Sequence, residues 1–427
     1  MSETICGSPL EKSSGSFSGL KRFYQTLVLQ ALGRMSLGHL RMTLPCGREF
    51  LVGTPGAPLT AVVRVKSGDF FQKCVLYGDV GFGEAYMDGD WETDSLERVI
   101  AWAVTNLETS PAFSHSPGRL PLLNFLQGVN RLKHWLRPNS VSTSRRNISE
   151  HYDLGNEFYR LWLDPTMTYS SAYFTEPGQS LEAAQTAKYD ALCRKLKLRP
   201  SDHVLEIGSG WGGFSVHAAK HYGCRLTTVT ISEEQYRYAK ERFEREGVAA
   251  QIEILLKDYR VVTGQYDKVA SIEMMEAIGD RYLETYFAKI HEVLKPEGLV
   301  GLQYITVPDC RHADLRKGVD FIQKHIFPGS LLLSVGRVNQ ALNRTGNLFL
   351  HDLEDMGASY ARTLHLWWER FNAQLEQVKA LGFNDPFIRK WNYYLQYCEA
   401  AFATRNISVV QAVYTRPHNR FLHSDLN

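Results

Sequence analysis

The sequence predicts an α/β protein: a doubly wound, mostly parallel sheet with a smaller N-terminal α+β domain before it. Three observations carry this. From about residue 180, apolar strand runs alternate with helical periods, and alternating units of that length build a parallel sheet with helices on both faces. The runs HVLEIG, RLTTVTI, IEILLKD, KVASIEM and LVGLQYI are nearly continuous rather than alternating, as strands covered on both faces are. The chain has 427 residues, room for two or three domains at roughly 150 residues each.

In chain order, residues 1–19 form a Ser/Gly-rich tail with neither a basic start nor an apolar core, which reads as a flexible tail rather than a signal peptide. Leu20, Phe23, Tyr24, Leu27, Val28, Ala31 and Leu32 then repeat with helical period, and RMTLPCGREFLVG and LTAVVRVKSG read as short strands between Gly and Pro punctuation. Asp94 and Ser95 precede a periodic run through Leu96, Val99, Ile100 and Trp102, the pattern of a capped helix. The accessory domain is expected to span 20–136. Pro138 and the Ser/Thr/Asn cluster after it make 137–150 a linker, and 151–427 is the larger domain. There, helices over 181–196, 213–222, 233–246 and 282–294 are interleaved with the strands.

Hydrophobic residues make up 44% and charged residues 22%, which excludes a disordered, collagen-like or membrane-spanning chain. Seven cysteines lie scattered without CxxC spacing, so reduced thiols and a cytosolic compartment are expected, and no metal site. Net charge is +2, from 48 basic and 46 acidic residues, too small a field to draw the protein onto nucleic acid. One stretch departs from this balance. Residues 109–149 carry Arg119, Arg131, Lys133, Arg137, Arg145 and Arg146 and no acidic residue, with Leu122, Phe125, Leu126, Val129, Leu132 and Leu136 at helical spacing. A basic amphipathic helix of this kind can lie on an anionic bilayer; a core-packed helix with a basic edge reads the same way.

The segment VLEIGSGWGG places Gly208, Gly210, Gly212 and Gly213 between a strand and a helix. Glycines allow a tight turn and close approach, and the helix start offers free amides to a polar ligand. Gly208, Gly210 and Gly213 also satisfy the dinucleotide spacing, but strand two ends in TVTIS without the acidic residue that would bind a dinucleotide ribose. NAD is therefore disfavoured.

VLEIGSGWGGFS resembles the first motif of class I S-adenosylmethionine-dependent methyltransferases, and VTISEEQ resembles the second-strand motif of the cyclopropane-fatty-acyl-phospholipid synthase and mycolic acid methyltransferase branch. HYDLGNEFYRLWLDPTMTYSSAYF, SIEMMEAIGDRY, DFIQKHIFPGS, SYARTLHLWWERF and YCEAAFATRNISVVQAVYTRP follow in the order of that branch. The resemblance implies a Rossmann-like methyltransferase sheet that binds S-adenosyl-L-methionine through Tyr169, Ser170, Gly208, Gly210, Thr230, Gln235, Asp258, Tyr259 and Ile272. It implies that a cyclopropane is built on the cis double bond of an unsaturated phospholipid acyl chain by a peripheral membrane enzyme, with homodimerisation open.

Methyl transfer to an unactivated alkene leaves a carbocation, which calls for aromatic walls and a base. Tyr169, Tyr173, Phe174, Tyr304, Phe327, Tyr360, Trp367 and Trp368 fall in or beside the matching blocks. The resemblance implies bicarbonate as the base, held by Glu276, the backbone of Ile305, and Tyr360. Two positions depart from the pattern: Ser171 stands where the branch has Cys, and Gln303 where it has His. Both side chains can still donate to an anion, but the loss of an imidazole opens a methylene- or methyl-branched product beside the ring. Cys398 lies in a block in which a catalytic cysteine is often marked; no base adjoins it in sequence, and a buried structural thiol is the expectation. His151 and His325 are expected to be structural. Phe321, Ile322, Ile326, Phe327, Leu331, Leu332 and Leu333 are numerous enough to wall an acyl channel, with Ser330 and Leu333 replacing the Gly and Pro more usual in the branch. A methyltransferase for soluble acceptors and a lipid-binding protein with a degenerate site are the alternatives.

Overall fold

The computed structural model describes residues 19–107, 154–316 and 318–422. The N-terminal tail, the basic stretch 109–149, the linker and His151 lie outside them.

Among the described residues the first element is α1 (Gly19–Leu32), which keeps no residue fully buried and leaves Leu20 61% and Phe23 56% exposed. Four short strands follow: β1 (His39–Thr43), β2 (Glu49–Gly53), β3 (Thr60–Val65) and, after α2, β4 (Trp91–Glu92), in the order β2-β1-β3-β4. Between β3 and β4 runs α2 (Asp69–Met87), broken at Gly78, whose φ of 62° and ψ of −131° suit glycine alone. α3 (Leu96–Thr105) starts where Ser95 accepts a hydrogen bond from the Arg98 amide, the cap expected from Asp94-Ser95.

The wound part of the larger unit runs through α4 (Leu181–Lys195), β5 (His203–Ile207), α5 (Gly213–Tyr222), β6 (Arg225–Thr230), α6 (Glu233–Arg245), β7 (Ile252–Leu256), β8 (Tyr266–Ile272), α7 (Leu283–Val293) and β9 (Leu294–Thr306). Each lies where the periodicity predicts. The seven strands are ordered β10-β11-β9-β8-β5-β6-β7, with β10 (Phe349–Asp355) and β11 (Ser408–Thr415) added at one edge. β5 to β9 pair in parallel, whereas β11 runs antiparallel to β9 and β10 antiparallel to β11. The order reverses between β5 and β8, so the carboxyl ends of these two strands flank the crevice where a ligand of such a sheet binds.

After β9 come α8 (Phe321–His325), α9 (Gly357–Ala373) and α10 (Asp385–Ala403). α2 and α3 of the N-terminal module pack on α10. One hydrophobic cluster holds Phe70, Phe71 and Trp91 of the module together with Phe321, Trp391 and Tyr393; burying side chains of this size stabilises by about 1.5 to 3 kcal/mol each. Gly83 admits the Phe321 ring so closely that a Cβ there would lie 2.4 Å from it. Glu84, on the same turn of α2, accepts from Lys324 Nζ at 2.6 Å and pairs with His325 Nε2 at 2.9 Å, which gives His325 the structural part expected of it. Among the described residues no helix is long and apolar enough to cross a membrane.

Candidate active site

A cavity of about 550 Å³ opens at the carboxyl ends of the parallel strands. Its floor is the turn after β5. Gly208 and Gly210 adopt φ of 95° and 49°, and a Cβ on Gly208 would come within 3.2 Å of the Met274 side chain. Behind the turn, Glu206 is buried and accepts from Ser215 Oγ at 2.5 Å and Thr228 Oγ1 at 2.6 Å; burial pushes its pKa up to about 7.

The nine residues expected to bind the cofactor all line this cavity. Thr230 Oγ1, at the end of β6, donates to Gln235 Oε1 at 2.9 Å, which turns the Gln235 amino group outward to act as donor. Asp258 accepts from Arg260 Nε and Nη2, both at 2.8 Å, so its carboxylate is oriented before any ligand arrives. Ser170 Oγ accepts from Lys188 Nζ at 2.7 Å. Lys188 lies on α4, fully buried, and burial pushes its pKa down to about 7 against the pull of Glu273 and Asp164. Glycines at positive φ, oriented hydroxyl and amide groups and a fixed carboxylate fit a cofactor carrying an amino acid and a ribose.

The opposite wall is apolar, with Ile322, Phe327 and Leu332 facing the cavity. The other proposed channel residues do not: Phe321, Ile326 and Leu333 are buried in the core, and Leu331 is absent from the lining. Of the eight aromatics named from sequence, Tyr169, Phe327 and Tyr360 line the cavity. Tyr173 instead donates to Glu354 at 2.5 Å, Phe174 lies under Arg362, and Trp367 is fully buried. Tyr394, Tyr397 and Phe402 supply walls that sequence reading did not single out.

Between the two walls the acid–base groups meet. Ile305 N donates to Glu276 Oε1 at 2.6 Å, while Glu276 Oε2 is buried without a hydrogen-bond partner. Burial and the neighbouring Glu273 push Glu276 up to about 8. Glu273, one residue past β8, accepts from Ser171 N at 2.8 Å, Gln303 Nε2 at 2.8 Å and Tyr360 OH at 2.7 Å. Its pKa is also raised by burial, against the opposing pull of Lys188 and these three donors. The groups present do not fit bicarbonate as expected, because Ser171, Gln303 and Tyr360 donate to Glu273, and Ile305 donates to Glu276. The Ser171 hydroxyl is turned to the Ala172 carbonyl at 2.9 Å, so it is the Ser171 amide that meets the anion. Glu273 also has a φ of 48°, a left-handed backbone costing a side chain about 1 to 3 kcal/mol.

Cys398 lines the cavity, but burial drives its thiol far above the ordinary range, with nearby Asp320 adding to the shift. A thiolate is not accessible there.

Residues 139–412 match the family described as mycolic acid cyclopropane synthetase. Over 390 residues the chain is 38% identical to tuberculostearic acid methyltransferase UfaA1 of Mycobacterium tuberculosis, covering 87% of this chain and 86% of that one. Over 359 residues it is 36% identical to the cyclopropane-fatty-acyl-phospholipid synthase of Escherichia coli, covering 83% and 88%. The crystal structure of mycolic acid cyclopropane synthase CmaA1 complexed with SAH and CTAB matches it with a TM-score of 0.60 at 29% identity, covering 64% of this chain and 98% of that one.

Proposed function

The chain belongs to the mycolic acid cyclopropane synthetase family, S-adenosylmethionine-dependent methyltransferases that act on lipid acyl chains, and from that premise we propose that it modifies the cis double bond of an unsaturated phospholipid acyl chain. A cyclopropane is the first product to seek. One observation carries this reading: the glycine turn and the apolar wall of Ile322, Phe327 and Leu332 open on the same cavity.

When bound, S-adenosylmethionine offers an electrophilic methyl; the alkene pair bonds to it, the carbon–sulfur pair stays on sulfur, and the adjacent acyl carbon is left cationic. Gly208 and Gly210 would let the backbone approach the amino acid part. The Gln235 amide would meet ribose hydroxyls, Thr230 would orient it, and Asp258 would accept from an amino group. Tyr169, Ser170, Tyr259 and Ile272 would complete the enclosure. Ring faces of Tyr169, Phe327 and Tyr360 would stabilise the cation by roughly 0.5 to 2 kcal/mol each. Ser171 and Gln303 would act as positioning residues. The donors expected for bicarbonate are engaged by the chain's own carboxylates.

A methyl-branched product is the second reading, and the 38% identity to a tuberculostearic acid methyltransferase favours it. It needs a separate reductant to deliver hydride to the cation. We also propose that the N-terminal module, 20–136, brings the site to an anionic bilayer, with exposed Leu20 and Phe23 on α1 contributing to contact. Homodimerisation belongs to the same proposal and is read from the mass in solution by light scattering.

Incubation of vesicles of cis-unsaturated phospholipid with methyl-labelled S-adenosylmethionine, followed by mass spectrometry, tests the reaction. The expected result is a gain of one CH2 with loss of the alkene. Unchanged lipids, together with labelling of soluble acceptors, would sink it. Flotation on anionic against neutral vesicles tests the membrane proposal, which equal recovery on both would remove.

A further inference from the structure

We propose that the carboxylate of Glu273 is this enzyme's built-in base: it stands where a dissolved bicarbonate would be held and takes the proton from the newly transferred carbon. The inference rests on the acyl-alkene reading above.

Hydrogen-bond geometry is the first support. A carboxylate and a bicarbonate present the same planar pair of oxygens, so donors built for one suit the other. Ser171 N and Gln303 Nε2 converge on Glu273 Oε1, and Tyr360 OH meets Oε2. The Gln303 amide is oriented from behind. Lys195 Nζ can only donate, and it does so to Gln411 Oε1 at 2.9 Å; the Gln411 amino group then donates to Gln303 Oε1 at 3.1 Å. The Gln303 amino group is thereby left to face Glu273. A chain of three side chains thus ends by presenting a donor to this one carboxylate.

The backbone is the second support. Glycine occupies a φ of 48° without strain, yet the position holds a glutamate. Such backbone persists only where the surroundings hold it in place, and it gathers at active sites.

Electrostatics are the third. A free anion entering here would face two carboxyl groups, with Lys188 as the neighbouring buried cation. The two carboxyl groups divide the work. Glu276, with one oxygen unpartnered, suits the protonated form, and Glu273, with three donors, suits the anion. Burial makes Glu273 a stronger base than a surface carboxylate.

In the step, a C–H bond of the transferred carbon breaks and its proton goes to a Glu273 oxygen. The electron pair closes the ring onto the cationic carbon. If a hydride has first shifted from the methyl-bearing carbon to its cationic neighbour, the same pair forms a double bond between the transferred carbon and the chain, a methylene branch, instead. No outside oxidant or reductant enters either balance.

The test uses the full chain, Glu273→Gln and Glu273→Gly, each checked for S-adenosylmethionine binding by calorimetry. In CO2-free buffer the wild type is expected to modify unsaturated vesicles at its full rate and to show no saturable binding of 13C-bicarbonate by NMR. Both variants should lose about 100-fold or more in turnover. Added bicarbonate should restore Glu273→Gly by about 10-fold or more, with saturable binding, but not Glu273→Gln, whose side chain still fills the site. A wild type that stalls without CO2 and recovers with bicarbonate would overturn the proposal, as would a Glu273→Gln variant with normal turnover. Saturable bicarbonate binding by the wild type would do the same. A wild type that labels no unsaturated lipid removes the acyl reading instead, while the bicarbonate titration still decides what holds the anion position.

Discussion

The Tyr360 hydroxyl donates to Oε2 of Glu273 at 2.7 Å, and the Tyr360 ring stacks on Phe402 with centroids 4.4 Å apart. The phenol is held by packing, so its donor is aimed before substrate arrives. A hydrogen bond to a charged group contributes about 1.5 to 3 kcal/mol, and this one favours the ionised carboxylate. In Tyr360→Phe the Glu273 pKa should therefore rise further. The acid limb of the turnover profile is expected to move about 1 to 2 pH units higher, with cofactor affinity by calorimetry unchanged.

Glu276 concerns stability rather than rate. Its folded pKa is raised to about 8, above the ordinary 4.5, so between those values the folded state binds more protons than the unfolded state. Stability from this group is accordingly lost as pH rises through that window. Urea unfolding of wild type and Glu276→Gln at pH 5.5 and 8.5 should show the variant losing less on alkalisation, by about 1 to 3 kcal/mol. Parallel curves would contradict a protonated Glu276.

Cys398 should prove dispensable. Its thiol is held neutral by burial, and a neutral thiol is neither nucleophile nor base. Cys398→Ser is expected to keep turnover within about threefold, since the two side chains differ little in volume. A loss of about 100-fold or more, with cofactor binding intact, would give the cysteine a chemical part.

Gly208→Ala tests the floor of the cavity. Its φ of 95° disfavours a side chain, and the new Cβ would press on Met274 at 3.2 Å. S-adenosylmethionine affinity should fall about 10-fold or more, equivalent to about 1.4 kcal/mol, measured by calorimetry. Unchanged affinity would mean the turn does not touch the cofactor.

The wound sheet was legible because its strands are buried on both faces and its helices keep strict period, so each element from α4 to β9 announced itself. β10 and β11 were not assigned from sequence. β10 is mostly exposed, with FLHDLED lacking an apolar run, and β11 follows a long helix without a crossover rhythm. The nine residues expected to bind the cofactor were legible as cavity lining because most of them cluster at strand ends. Lys188 and Glu273 were not singled out. Lys188 looks like any helical lysine until the fold closes over it. Glu273 carried one faint signal, an acidic residue at the carboxyl end of KVASIEM, but its left-handed φ and its four-sided surroundings exist only in three dimensions. The aromatics show the opposite limit: their abundance was plain, yet which rings face the cavity depends on packing that no spacing encodes.

Trp91, Phe321 and Tyr393 belong to one cluster although two come from the catalytic unit and one from the N-terminal module. The module is therefore no detachable cassette. Excising it would bare one flank of the helix that carries Cys398, so transplanting it onto another enzyme would require grafting both sides of the seam together.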